Sequence, residues 1–517
     1  MNFSGLLLGL TEQGSTVQSA GGDPAISGLH YDSRKIQPGW AFVAWKGEST
    51  DGNRYIDAAL KNGAVAVVTD SATEQPRPGV AWAVVPHGRK ALAQASANFY
   101  GRPAEKLKIT GVTGTNGKTT TSFLIESILN HCGRRSALIG TIEHHVAGKV
   151  LPAPHTTPES LELNQMFAAA LAAGATDVVM EVSSHALEQG RVWGVPYDVA
   201  VFTNLTRDHL DYHKDMESYF AAKAMLFHGS GAFHDGRTRP PRAAVINIDD
   251  QYGRALLASK PACEQVISYG ISTGEFHARN VDLQPTGTRF DLVTAAETVS
   301  VSSSLIGKIN VYNLLAAAAA TWARGCALEQ IAEAASRFKQ VPGRFERVDC
   351  GQPFTVVVDY AHTDDALRNL TSIAREFVRR AGGQGRVITV FGCGGDRDRT
   401  KRPLMGKAAG QGSDFVVLTA DNPRSEDPMA IIQDSLPGLQ PSGVRYVVEP
   451  DRKKAIGIAL ANAKTGDMVL IAGKGHEKTQ TTREGVFPFD DVQVATEALQ
   501  QMGHAQQLSG EKPGEKR

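Results

Sequence analysis

No cysteine of this chain has a partner at short spacing. Cys132, Cys263, Cys326, Cys350 and Cys393 are scattered, odd in number and free of any CxxC pair. That argues for a reducing compartment, the cytoplasm, and for ordinary buried or surface thiols. Net charge is lacking too: 54 Lys and Arg balance 54 Asp and Glu, so nothing points to a nucleic acid or an acidic membrane as partner. No uninterrupted apolar run approaches the length that spans a bilayer. Phe3 to Leu10 is mildly apolar, but no basic residue precedes it and Thr11-Glu12-Gln13 follows, which is not the build of a signal peptide. No internal repeat is visible.

What is present is 517 residues, 42% hydrophobic and 21% charged, a composition that fits a globular protein of roughly two to four domains. Two Pro- and Gly-bearing seams divide it, Tyr100-Gly-Arg-Pro103 and Lys339-Gln-Val-Pro342-Gly343. The expected segments are 1–106, 107–341 and 342–505, followed by a polar tail, 506–517, expected to be disordered. In the third segment the apolar runs FTVVVDYA, RVITVFG, DFVVLTA, RYVVEP and DMVLIAG alternate with helical patterns. The helices are expected at Asp365–Arg380, Pro403–Gly410, Asp427–Leu436, Arg452–Ala463 and Val492–Met502. Such alternation predicts an α/β fold with a doubly wound, Rossmann-like parallel sheet, which binds ligands beyond the carboxyl ends of its strands. Those ends carry Asp359-Tyr-Ala-His362, Gly394-Gly-Asp-Arg397, Asp421-Asn-Pro-Arg424 and Gly473-Lys-Gly-His-Glu477. Any one of these could be a plain turn; four on one rim predict a site.

Ile109-Thr-Gly-Val-Thr-Gly-Thr-Asn-Gly-Lys-Thr-Thr120 is the sharpest local signal. A strand enters a glycine-rich turn that opens a helix, so backbone N–H groups and the helix N-terminus face phosphate oxygens. Lys118 would reach the outer phosphates and Thr119 would offer a hydroxyl to Mg²⁺. Val112 stands where the generic loop has its first glycine, with Gly111 and Gly114 on either side. The central segment is therefore expected to be a mostly parallel sheet of the phosphate-loop type. Asp177-Val-Val-Met-Glu181 reads as a buried strand ending in a carboxylate suited to Mg²⁺. His209, in the loop after Val199–Asn204, is a possible second ligand, though a lone loop histidine is usually just solvated. Lys223, one cation in an apolar helical stretch, reads by itself as a snorkelling or exposed lysine. A switch or motor NTPase remains open at this level.

The motifs GTNGKTT, MEVSSHAL, NLTRDHLDYH, AAKAMLF, NVYNLLAA, VPGRFERV, GCGGDRDRTKRPLM, TADNPR and AGKGHE occur in the order seen in Mur ligases, which the chain resembles from Asp32-Ser33-Arg34 to Glu477. The resemblance is strongest to the member adding the third amino acid. It implies ATP- and Mg²⁺-dependent amide-bond formation in peptidoglycan precursor synthesis, and so in cell-wall growth, shape and division. ATP would phosphorylate the D-Glu side-chain carboxylate of UDP-MurNAc-L-Ala-D-Glu, and meso-diaminopimelate would attack the acyl phosphate. Segment 1–106 would then bind the UDP-muropeptide, 107–341 ATP and 342–505 the amino acid, in a monomer.

By resemblance, Gly114, Thr115, Asn116, Gly117, Lys118, Thr119 and Thr120 bind ATP, joined by Asn313, Arg344, Asp359 and His362. Thr119, Glu181 and His209 resemble Mg²⁺ ligands, and Lys223 the family's lysine that CO₂ converts to a metal-supporting carbamate. Lys118, Lys223, Glu181 and His209 would form the catalytic set. Ser33 resembles a uridine contact; Thr156, Thr157, Ser183, Gln189 and Arg191 resemble muropeptide contacts. Arg397, Asp421, Asn422, Pro423, Arg424, Gly473 and Glu477 would take the amino acid, with Arg424 gripping the distal carboxylate that lysine lacks. His155, Tyr31 and Asp364 depart from the usual Asn, Leu and Pro. Alternatives in the family's reach are an L-lysine-adding ligase of the same step and folylpolyglutamate synthetase. A scaffold without catalysis should show decay at Lys118, Glu181 or Lys223, and all three are intact.

Overall fold

Strand Lys108–Thr113 lies inside an eleven-stranded sheet, with the parallel strands Asp177–Glu181 and Val199–Phe202 on its two sides. Both neighbours come later in the chain, so the order reverses at Lys108–Thr113 and opens a crevice at its carboxyl end. The parallel run continues through Ala243–Asn247 and Gln265–Gly270 on one side and Ser136–Ile139 on the other. Antiparallel strands finish both edges. Its inner strands read as unbroken apolar runs because helices cover both faces. The structure is a computed structural model that describes residues 1–10, 16–17, 22–47, 50–229, 239–284, 286–380 and 382–504. The tail 506–517 lies outside the described residues.

Before this sheet, a five-stranded one is ordered Thr16–Val17, Ala81–Val84, Ala66–Thr69, Trp40–Ala44, Gly28–His30. It is parallel except for its first pair. After it comes a six-stranded sheet ordered Glu346–Val348, Thr355–Asp359, Met468–Ala472, Val387–Phe391, Phe415–Leu418, Arg445–Val448. All but its first pair are parallel. The five apolar runs read from the sequence are five of these strands. The helices between them run Asp364–Arg380, Lys401–Gly412, Pro428–Leu439, Arg452–Asn462 and Asp491–Gln501. Pro403 falls in the first turn of its helix, where a missing N–H costs nothing, so that helix begins before the proline.

Beneath the last sheet's rim, Arg452 is fully buried and donates to both carboxylate oxygens of Asp491 at 2.8 and 2.7 Å. It also donates to the carbonyls of Ala420 (3.5 Å) and Ala472 (3.0 Å), one residue before Asp421 and Gly473. One guanidinium thus ties together two of the loops that the sequence marked.

A second charged tie joins the helix Lys118–His131 to the hairpin Glu143–Val146/Lys149–Pro152. His145 Nδ1 lies 2.9 Å from each oxygen of Glu126, and its Nε2 lies 3.0 Å from Glu143. The bond to Glu126, with Glu143 adding to it, pushes the imidazole up to about 9 from 6.5. The protonated ring therefore stabilises the fold fully below pH 6.5, and this is lost as pH rises through about 9. With the side chain 26% exposed, the contribution is at most about 3 kcal/mol. His145→Gln should lower the melting temperature near neutral pH and converge on the parent above about pH 10. Melts across this range check it: a gap that stays constant would mean the ring acts by packing on Phe123.

Candidate active site

At the crevice, strand Lys108–Thr113 turns through Gly114–Gly117 into helix Lys118–His131, as the sequence predicts. Gly114 has φ +145°, and a Cβ there would lie 1.9 Å from Thr203 Oγ1. Only glycine fits. The loop is pinned from behind: Asn116 N donates to Asn204 Oδ1 (2.9 Å), while Thr203 Oγ1 (2.7 Å) and Asn204 Nδ2 (3.0 Å) donate to Asn116 O. Thr203 and Asn204 were not among the expected site residues, because their role depends on a strand some 90 residues away. The first-turn N–H groups of the helix lack intrahelical acceptors, and Gly117 to Thr120 line a cavity of ≈ 250 Å³. Asn313, Arg344, Asp359 and His362 line it too. Arg344 Nε is buried there without a hydrogen-bond partner, so the wall fits an anion.

Glu181 is fully buried at the end of its strand and heavily hydrogen-bonded. It accepts from Thr119 Oγ1 (3.1 Å), Thr141 N (2.8 Å) and Thr141 Oγ1 (2.9 Å). Thr141 escaped the sequence reading; no motif marks it. His209, at φ +54°, lines the same cavity. Desolvation in the crevice, opposed by the Asp208 carboxylate 3.5 Å away and aided by His185, Lys223 and Lys118, lowers its imidazole from the usual range and favours the neutral form that can ligate, though 44% of the side chain stays exposed. Among the described residues no three His, Cys, Asp or Glu side chains cluster as a ready-made metal site. A carboxylate, a hydroxyl and a neutral imidazole facing a phosphate cavity still suit Mg²⁺, which keeps waters and takes phosphate oxygens as ligands.

Lys223 corrects its plain reading as an exposed or snorkelling lysine: the side chain is 1% exposed. Its Nζ donates to Gly114 O at 3.0 Å and sits 4.6 Å from the Tyr219 ring centroid. Lys118 Nζ donates to the same carbonyl at 3.0 Å and to Thr115 O at 2.9 Å. Burial, and then the neighbouring Lys118, lower the Lys223 amine well below its ordinary value. Burial lowers Lys118 as well.

Thr156, Thr157, Ser183, Gln189 and Arg191 form a linked group beside Glu181. Thr157 Oγ1 donates to Glu181 O (2.9 Å) and accepts from Ser183 N (3.1 Å). Arg191 Nη1 donates to Thr157 O (3.1 Å), and its Nη2 to Gln189 Oε1 (2.7 Å). Thr141 Oγ1 lies 3.1 Å from Thr156 Oγ1. Ser33 is not brought to them; it is buried in the N-terminal lobe, opening the turn Ser33–Lys35, and lines neither cavity.

Arg397, Asp421, Asn422, Arg424, Gly473 and Glu477 line a second cavity of ≈ 450 Å³. Pro423 does not line it; the proline carbonyl lies under Gly395. A Cβ on Gly473, φ +119°, would lie 2.5 Å from Asp421 Oδ2, so glycine lets this carboxylate face the cavity. Arg424 Nη1 donates to Gly395 O at 2.7 Å, and Arg402, fully buried, pairs with Glu426 and Asp434 beneath. Two side-chain hydrogen bonds cross between the second and third segments near the cavity: Arg207 to Thr400 (2.9 Å) and Asn116 to Asp365 (3.1 Å). The two cavities share Asp208, His209, Tyr360, His362 and Thr363 in their walls. Asp208, Tyr360 and Thr363 were missed, although two of them sit within marked motifs.

A phosphate loop on a parallel sheet, opening onto a pocket of paired carboxylates and guanidiniums on a second sheet, defines a nucleotide-binding α/β enzyme with room for an amino-acid co-substrate. Three family models cover the chain: Mur ligase family, catalytic domain, at 25–100; Mur ligase middle domain at 112–321; and Mur ligase, glutamate ligase domain, at 343–475. The chain belongs to the Mur ligase family. It is 53% identical over 482 residues to the UDP-N-acetylmuramoyl-L-alanyl-D-glutamate–2,6-diaminopimelate ligase of Solibacter usitatus, covering 93% of this chain and 95% of that one. A solved structure with the same protein name superposes with TM-score 0.64 at 35% identity, over 93% and 96% of the two chains. MurF ligase from Thermotoga maritima in complex with ADP shares the fold, with TM-score 0.60 at 18% identity over 92% and 97%. No helix among the described residues is long and apolar enough to cross a membrane.

Gly114→Ala should abolish measurable ATP binding, since the new Cβ collides with Thr203 and the backbone angle disfavours any side chain. Calorimetric titration with ATP and Mg²⁺ checks it, and an affinity within threefold of the parent would exclude this loop as the phosphate cradle.

Proposed function

We propose that this ligase joins meso-2,6-diaminopimelate to the D-Glu side-chain carboxylate of UDP-MurNAc-L-Ala-D-Glu, using ATP, in peptidoglycan precursor synthesis. The observation that carries this is the shared wall of the two cavities, across which an acceptor amine in one would face a nucleotide's outer phosphate in the other. The names of relatives at 44–53% identity support the choice of substrates. ATP with Mg²⁺ supplies the phosphoryl group that turns an unreactive carboxylate into an acyl phosphate with phosphate as leaving group.

The protein's part is positioning and charge compensation. Residues 114–120 would cradle the phosphates while Lys118 offsets their charge. Asn313, Arg344, Asp359 and His362 would flank the nucleotide. Thr119, Glu181 and His209 would hold Mg²⁺. Ser33 would reach the uridine, and Thr156, Thr157, Ser183, Gln189 and Arg191 the muropeptide. Asp421 and Glu477 would take the distal amine of diaminopimelate, beside Asn422. Arg424 and Arg397 would take its carboxylate, beside Gly473 and Pro423. This assigns 1–106 to the muropeptide, 107–341 to ATP and 342–505 to the amino acid. Five free thiols fit a cytoplasmic setting, where ATP and UDP-linked precursors are found.

Lys223 fits a carbamate. A buried amine whose proton is disfavoured is a free nucleophile; its nitrogen would attack CO₂ and lose a proton, leaving an anion. That anion would balance Lys118 and support the metal. Lys223→Arg should lose nearly all turnover while ATP still binds; near-parental turnover would remove the lysine from the mechanism.

Phosphate release with the UDP-muramoyl dipeptide and a panel of amino acids tests the whole reading. Meso-diaminopimelate should be used and L-lysine rejected. Arg424→Ala should weaken diaminopimelate use by tens to thousands of fold, the effect of about 2–5 kcal/mol on removing one partner of a buried charge pair. ATP affinity should hardly move. A parent enzyme that prefers L-lysine would show this assignment to be wrong.

A further inference from the structure

Lys474 was not a candidate, yet its side chain is 0% exposed, among the most deeply buried cations of the chain. It stands between two of the amino-acid pocket's residues. Its Nζ donates to Asn422 Oδ1 at 3.1 Å and to Glu477 Oε2 at 3.0 Å. Asn422 Nδ2 closes the triangle on the same Glu477 oxygen at 2.7 Å. Asn422 Oδ1 also accepts from Thr481 N at 3.0 Å. An ammonium and a backbone N–H can only donate, so the amide oxygen must face them and its nitrogen must face Glu477. Glu477 Oε2 is occupied by two donors, which leaves Oε1 to the cavity that Glu477 lines. We propose that Lys474 is a positioning residue for the acceptor: it fixes Asn422 as a donor and Glu477 as an acceptor at the end of the pocket that receives the distal ammonium and carboxylate. This rests on the ligase reading above.

The arrangement has a chemical consequence. Without the buried ammonium, Glu477 loses its counter-charge, and its carboxylate turns toward the cations Arg424 and Arg397 across the cavity. The acceptor's ammonium then loses its partner, and its carboxylate meets a competitor for the guanidiniums. The phosphate loop is on another sheet and is not touched.

Lys474→Met keeps volume and removes the donor. Its KM for meso-diaminopimelate should rise at least tenfold, which is about 1.4 kcal/mol. KM for ATP, and kcat at saturating diaminopimelate, should stay within twofold. Glu477→Gln supplies the second arm: with the carboxylate gone, adding Lys474→Met should raise the diaminopimelate KM by a clearly smaller factor than in the parent. An unchanged diaminopimelate KM in Lys474→Met overturns the proposal, as does a parallel rise in the ATP KM, the mark of a brace for the fold. Should Lys474→Met fail to fold, Lys474→Gln, which removes the charge but keeps a donor, takes its place: a rise in the diaminopimelate KM alone is expected, and an unchanged diaminopimelate KM or a parallel rise in the ATP KM there overturns the proposal. Wild-type enzyme run alongside separates the two readings. If it takes another amino acid, the substrate assignment fails, and the Lys474 comparison is scored with the amino acid it does take.

Discussion

A buried lysine amine, Lys223, and a half-buried one, Lys118, share one acceptor, the Gly114 carbonyl, and among the described residues no carboxylate pairs with either within 4 Å. Taking an ammonium out of water without a counter-ion is costly, and two on one oxygen repel each other. The protein tolerates this because the loop between them is built for a polyanion. Phosphates would supply the negative charge that the fold withholds, and a carbamate on Lys223 would turn the second cation into an anion. The glycine with no room for a Cβ, the pinned Asn116, the firmly held Glu181 and His209 all surround this spot. Because Glu181 is held by three hydrogen bonds from Thr119 and Thr141, it is fixed before any metal arrives. That is the preorganisation electrostatic catalysis needs.

The amino-acid pocket solves the opposite problem. Its lining carries both signs, as a zwitterion requires, and opposite charges in a pocket collapse onto each other unless anchored. Here the anchors lie underneath. Arg402 ties the Arg424 loop to the helix Pro428–Leu439 through Asp434, and Arg452 ties the two strand ends. Buried ion pairs of this kind add little net stability but specify geometry. They leave the lining side chains free to face a ligand.

Much of this was legible in the sequence, and unevenly so. The strand and helix alternation of the third sheet was readable because buried parallel strands are continuous apolar runs, and the phosphate loop because its glycines are sterically forced. Lys118 and Glu181 were legible from the loop and strand patterns and the role of Arg424 from a family motif, and the structure adds the relations between them. Lys223 shows the limit: its surroundings in sequence are an ordinary apolar helix, and only folding puts its amine against Gly114, more than a hundred residues away. Asp208 and Tyr360 sit within marked motifs, but that both cavities share them follows from how two sheets meet. Thr141 and Lys474 act through partners that no local pattern predicts. Pro423, Ser33, Thr157, Gln189 and Arg191 are the converse, expected site residues that line neither cavity.

The link between Arg452 and Asp491 has a consequence for the order in which the molecule comes into being. Asp491 opens the last described helix, and its partner holds the strand ends at Ala420 and Ala472. A ribosome delivers the phosphate loop long before Asp491, so the acceptor pocket is unbraced until that later helix has been made. A growing or prematurely ended chain can therefore shape the surroundings of Gly114 without possessing a formed pocket for the amine. Synthesis through Asp491 becomes the condition for a braced acceptor pocket, and a chain ended before that residue would lack the brace despite retaining Lys118, Glu181 and Arg344 around the nucleotide cavity.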